Sequence, residues 1–257
     1  MPGTDVVLYH PLMVLCAGLG VAVGLAGHTG IVRRGLGSAD VRCAYALTFA
    51  TFACMNLSGM AVFTLWPQDD TPQDRISWQQ KTAFMLDGAF SSITSLNFSL
   101  CALSDLGVLR LRSRRGDAAL VAAAFALVFY AYFLQNFRSG WGCIWQLLYT
   151  DLTRTSSILY FSVTLLRMAW RRSARGALPL VAALVVGLKG LHDLVDPAIN
   201  LAHCRLLGGL LTQVEMWYLE SDASLAFLLT FYYASHATPE GQLADSEALE
   251  KALLAAP

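Results

Sequence analysis

Long runs of apolar residues, repeated along the whole chain, constrain this sequence more than any other feature in it. A bilayer core about 30 Å thick takes roughly 20 residues of helix to cross. Runs of that length lie near 6–31, 43–66, 82–109, 118–136, 146–169, 177–198 and 206–234 of the 257 residues. Only 14% of the residues are charged and 56% are hydrophobic, with a mean hydropathy of +0.51. A soluble domain carries roughly 25% charge, so an ordinary water-soluble fold is excluded. The predicted class is all-α: a polytopic membrane bundle of about seven transmembrane helices forming one domain over 1–235. A polar, acidic tail follows over 236–257.

The arginines set the predicted orientation. Arg33, Arg34 and Arg42 fall in or beside the first connection, and Arg110, Arg112, Arg114 and Arg115 in the third. Arg167, Arg171, Arg172 and Arg175 fall around the fifth. The alternate connections hold only Arg75, Lys81, Arg138 and Arg205, diluted by Asp69, Asp70 and Asp74. Short loops rich in Lys and Arg stay cytoplasmic, so the N-terminus is expected outside and the C-terminus in the cytoplasm. The opening stretch MPGTDVVLYHPLM has Asp5 where a cleavable signal would carry positive charge, so the first run reads as a retained span. The pattern suits a plasma membrane or an endomembrane equally. The formal net charge is zero and no basic domain stands out, which argues against nucleic acid as a partner.

Of the six cysteines, Cys16, Cys54 and Cys101 fall inside spans and Cys43 at the start of one. Cys143 and Cys204 are both expected on the outer side, where a disulfide can persist. They are either a bridged pair or two unrelated loop cysteines.

Charged groups inside membrane helices are costly and face the bundle interior or a water-filled cavity. The sixth span carries Lys189, His192, Asp193 and Asp196 at offsets that put all four on one helical face, before Pro197. The seventh carries Glu215 and Asp222, seven apart, with Gln213, Tyr218 and Glu220 nearby. The fifth carries Asp151 and Arg154; the third carries Asp87, Asp105 and a run of serines, threonine and asparagine between them. At about 1.5 Å rise per residue, Asp87, Asp151, Arg154, His192, Asp193 and Asp196 come to the outer half of the bilayer. Lys189 and Glu215 come nearer its middle. The expectation is a polar cavity open to the outer side and lined by these residues together with Asp222. Internal ion pairs, Lys189 with Asp193 and Asp151 with Arg154, that only fix helix packing are the plainer alternative.

Motif chemistry gives little more. A zinc site wants three or four His, Cys or carboxylate ligands, and no HExxH or CxxC pattern occurs. If a metal were held, Asp87, His192, Asp193 and Glu215 are the available set. No inverted repeat of the transporter kind is evident.

The segments FATFACMNLSGM and FMLDGAFSSITSLNFSLCALSDL resemble the second and third spans of the CREST superfamily. That superfamily comprises alkaline ceramidases, Per1 lipid-remodelling proteins, progestin/adipoQ receptors and the myomaker branch. The stretch from VVGLKGLHD onward is also similar to a vertebrate group, the transmembrane protein 187 family. The resemblance implies seven spans with an outside N-terminus, as in the ceramidase and myomaker branches, and makes Asp87 the match to the ceramidases' acidic motif. It also implies a zinc site built from a second-span histidine and an HxxxH pair in the seventh. Here the second span reads MNLSGM, with Ser58 alone echoing that motif, and the seventh reads LLTQVEMWYLESD, without histidine.

The resulting expectation is a non-catalytic protein without a cofactor, binding a lipid or small ligand in its polar cavity or organising the membrane. Its partners would be membrane lipids, with protein partners or a homo-oligomer in the membrane left open. The alternatives are a zinc-dependent, ceramidase-like lipid hydrolase and a proton- or ion-coupled transporter.

Overall fold

A computed structural model of the protein describes residues 11–66, 76–138, 147–148, 151–171 and 213–236. They form six α-helices and, among the described residues, no strand: α1 (Pro11–Arg34), α2 (Ala39–Leu65), α3 (Trp78–Asp105), α4 (Arg115–Phe137), α5 (Leu152–Arg171) and α6 (Gln213–His236). By length and composition α1, α2 and α4 can each cross a membrane. The run at 177–198 and both loop cysteines, Cys143 and Cys204, lie outside the described residues.

Local chemistry fixes the helix ends. Pro11 opens α1, where its missing N–H costs nothing. Gly35 and Gly37 take positive φ of 67° and 75° to turn the chain within four residues. Ser38 then caps α2 by accepting from the Val41 N–H at 3.3 Å. Because of that cap α2 begins four residues before the apolar run does. Arg42 and Cys43 thus belong to the helix, and the Arg42 guanidinium reaches back to the Gly35 and Gly37 carbonyls at 2.7 and 2.6 Å. Ser77 caps α3 in the same way, accepting from the Gln80 N–H at 3.2 Å. Gly107, with φ of 70°, ends α3: the Val108 N–H donates to the Leu103 carbonyl and the Gly107 N–H to Ser104.

The tight turn makes α1 and α2 antiparallel neighbours. Lipid tails are as apolar as leucine, so helices in a membrane associate through close packing and polar contacts rather than by hiding apolar surface from water. Glycines supply the close packing here. A Cβ on Gly24 would stand 2.8 Å from the Phe49 carbonyl oxygen, and one on Gly27 would enter the Phe49 ring. Leu15, Leu19 and Leu25 of α1, and Leu120, Leu127 and Tyr130 of α4, are turned outward.

α3 is the polar centre of the bundle. Its Ser92 lies 2.9 Å from the Tyr132 hydroxyl of α4, and its Ser95 lies 2.8 Å from Thr153 of α5. Thr94 and the Asn97 amide both donate to Thr51 of α2, at 3.2 and 2.9 Å. These hydroxyls bond one another across helix interfaces, which is how a helix with so many of them can occupy the middle of the fold.

The contacts also give directions. α3 and α5 run the same way, since Ser95 meets Thr153 and Phe98 packs on Tyr160 at 5.9 Å between ring centroids. α6 runs parallel to α1 and α3: Asp222 approaches Gly20 and Tyr233 approaches Gly30, while Tyr218 meets Asp87 and His236 meets Asp105. The ends of α1, α3 and α6 therefore gather with the starts of α2 and α4. This is the arginine-rich end, carrying Arg33, Arg34, Arg110, Arg112, Arg114 and Arg115.

Candidate functional site

Buried polar groups of α2, α3 and α6 gather in two places along the bundle, one in its middle region and one at the arginine-rich end. The first holds residues that the sequence points to. Asp87 is 5% exposed and accepts a hydrogen bond of 2.7 Å from the Tyr218 hydroxyl. The close approach of α2 makes room for this contact: a side chain on Gly59 would collide with the Tyr218 hydroxyl. One turn further along α6, Asp222 is 3% exposed. It faces Asn56 of α2 across Gly20 of α1, and a Cβ on that glycine would overlap an oxygen of each. Glu215 is buried on the same face of α6, as its spacing of seven from Asp222 predicts.

The remaining predicted site residues fall elsewhere. Asp151 and Arg154 do form the expected i,i+3 pair, at 3.7 Å, but their side chains are 46% and 30% exposed. Lys189, His192, Asp193 and Asp196 lie outside the described residues. Ser58 donates to the Cys54 and Met55 carbonyls of its own helix, at 2.9 and 3.0 Å. This is the ordinary back-bonding of a helical serine, so the hydroxyl is not poised as a nucleophile. Cys16, Cys43, Cys54 and Cys101 are free thiols.

The second cluster was not legible as a unit in the sequence. The Tyr45 hydroxyl donates to Asp105 Oδ2 at 2.8 Å, and the Tyr160 hydroxyl lies 2.9 Å from it. With the Tyr45 O–H pointed at the carboxylate, the Tyr160 O–H donates to the Tyr45 oxygen. His236 Nε2 stands 3.2 Å from the other Asp105 oxygen. Tyr232 packs against Tyr45 and His236 with centroids 4.9 and 5.1 Å away, and its hydroxyl donates to the Leu36 carbonyl in the α1–α2 turn. Asp105 thus ties the ends of α2, α3 and α6 together, with α5 joined through Tyr160.

The zinc set implied by the CREST resemblance is not reproduced by these side chains. Among the described residues no three His, Cys, Asp or Glu groups come together as metal ligands. Asp87, which the resemblance carries over, is engaged by a tyrosine, and the atoms that crowd Gly20 beside Asp222 are those of the Asn56 amide. Oxygen-only donors suit hard cations better than zinc. No family model, no curated protein and no solved structure matches the chain.

Proposed function

We propose that this chain is a non-catalytic, seven-span membrane protein, CREST-like in fold, whose polar core binds a lipid or small ligand. One observation carries the reading: the carboxyl groups of Asp87 and Asp222 are turned into the bundle in a chain whose outward side chains on α1 and α4 are apolar. Holding such groups in a membrane interior is expensive, and they are characteristic of sites that bind or conduct.

The count of seven draws support from the helix directions. α5 ends towards the arginine-rich end and α6 begins at the other, so a crossing by the apolar run at 177–198 fits between them. With the arginine-rich end in the cytoplasm, Asp87, ten residues into α3, lies on the outer side of the bundle's middle. A plasma membrane or an endomembrane would serve equally.

The test is the lipid complement of the full-length protein purified in mild detergent and identified by mass spectrometry. The expected result is a lipid class retained in near-stoichiometric amount by the wild type and reduced in D87N or D222N. Identical complements in wild type and both folded variants would refute ligand binding at this face. Turnover of added lipid amide, lost in D87N, would replace the reading with the hydrolase one.

A further inference from the structure

Asp222 and Asn56 meet in a way that a bundle held together only by packing does not explain. Asn56 is fully buried, and its amide Nδ2 donates to the Phe52 carbonyl at 3.0 Å. That bond fixes the orientation of the side chain, because a flipped amide would set oxygen against oxygen. The atom that Asn56 presents towards Asp222 is therefore Oδ1, an acceptor. Asn56 Oδ1 and Asp222 Oδ1 both project into the space that a Gly20 side chain would fill. Neither of these oxygens, nor Asp222 Oδ2, meets a donor among the described residues. A single buried acceptor left unpaired costs about 1–3 kcal/mol, and a charged one more. Three on one spot call for a shared proton or cation between them.

We propose that this spot is a binding site for a monovalent cation such as sodium, held between the Asp222 carboxylate and the Asn56 amide oxygen over Gly20. The donor set is all oxygen, which selects a hard cation. The single carboxylate at this point matches a charge of one. Glu215, two turns away on α6, has interactions of its own. Gly20 is required because any side chain there would displace both ligands. The ion ties α2 and α6 together at mid-helix beside Gly20 of α1, far from the caps and turns that hold their ends. The site does not depend on the lipid-binding reading and should persist in protein stripped of lipid.

The experiment is thermal unfolding of the full-length protein in detergent, in sodium, potassium and choline chlorides at equal ionic strength and one pH. Mass action predicts that the unfolding midpoint rises with the logarithm of sodium concentration above the dissociation constant. Choline, too large for the gap, should give no rise, and D222N should lose the sodium response. Coincident midpoints in all three salts would overturn the site; a proton on Asp222 donating to Asn56 would then be the partner. A sodium response unchanged in D222N would place the ion elsewhere and overturn it equally. Should D222N fail to fold, N56L serves as the second variant, and the wild-type salt series still decides against the site if flat.

Discussion

The Tyr218 hydroxyl donates to Asp87 at 2.7 Å and fills the space left by the missing side chain of Gly59, so three helices meet in one contact. Removing the donor alone leaves a buried carboxyl group without that bond. Y218F should therefore lower stability by about 1–3 kcal/mol. D87N keeps an acceptor for the tyrosine and should cost less. G59A forces the hydroxyl aside, so its cost should be smaller in a Y218F background than in the wild type. Thermal unfolding of G59A, Y218F and the double variant in detergent measures this coupling; strict additivity would mean that the Tyr218 hydroxyl does not pack against Gly59.

The glycines of α1 differ in what surrounds them, and that gives a paired prediction. Gly24 packs against the α2 backbone, whereas a Cβ on Gly18 would meet nothing within 4 Å. G18A should be neutral or stabilising by up to about 1 kcal/mol, since alanine favours helix over glycine. G24A must push the helices apart, at a cost of about 1–3 kcal/mol typical of overpacking. Equal unfolding midpoints for the two variants would mean that α1 does not pack on α2 through this stripe.

Hydropathy made the all-helical architecture legible, because apolar length is a one-dimensional property. The ends were less so. Ser38 and Ser77 start α2 and α3 four residues outside their apolar runs, since a cap depends on side-chain hydrogen bonding rather than on hydrophobicity. The burial of Asp87, Glu215 and Asp222 followed from their rarity and spacing, whereas Asp151 and Arg154 had the same spacing logic and are half-exposed. Periodicity puts residues on one face without saying what that face meets. Asn56 gives no such signal: nothing local in MNLSGM distinguishes it from Ser58, and only the approach of α6 brings Asp222 beside it. Asp105 meets residues 60 and 131 positions away from it, beyond any local signal.

Sidedness can be read with single cysteines in a background lacking the six native ones. Arg33→Cys and Arg114→Cys lie at one end of the bundle, and Gln79→Cys and Arg138→Cys at the other. An impermeant maleimide applied to intact cells or sealed vesicles should label the two pairs from opposite sides, with the arginine-rich pair cytoplasmic. Mixed labelling within a pair would contradict the helix directions, and a reversed pattern would contradict the orientation alone.

Asp105 is the hub of the second cluster, and its partners should not contribute equally. It accepts from Tyr45 at 2.8 Å and faces His236 at 3.2 Å, and Tyr45 in turn is met by Tyr160. Losing the carboxylate takes the partner from groups on two other helices at once, Tyr45 of α2 and His236 of α6. D105L should therefore cost about 3 kcal/mol or more, as breaking a buried polar pair does. H236F keeps ring packing against Tyr232 and Tyr45 while removing one polar contact, so about 1–2 kcal/mol is expected. Y45F should fall between them, because it breaks the links of Tyr45 to both Asp105 and Tyr160. Unfolding in mixed micelles gives the ranking. If H236F proved the most damaging of the three, the histidine rather than Asp105 would be the residue that holds the helix ends together.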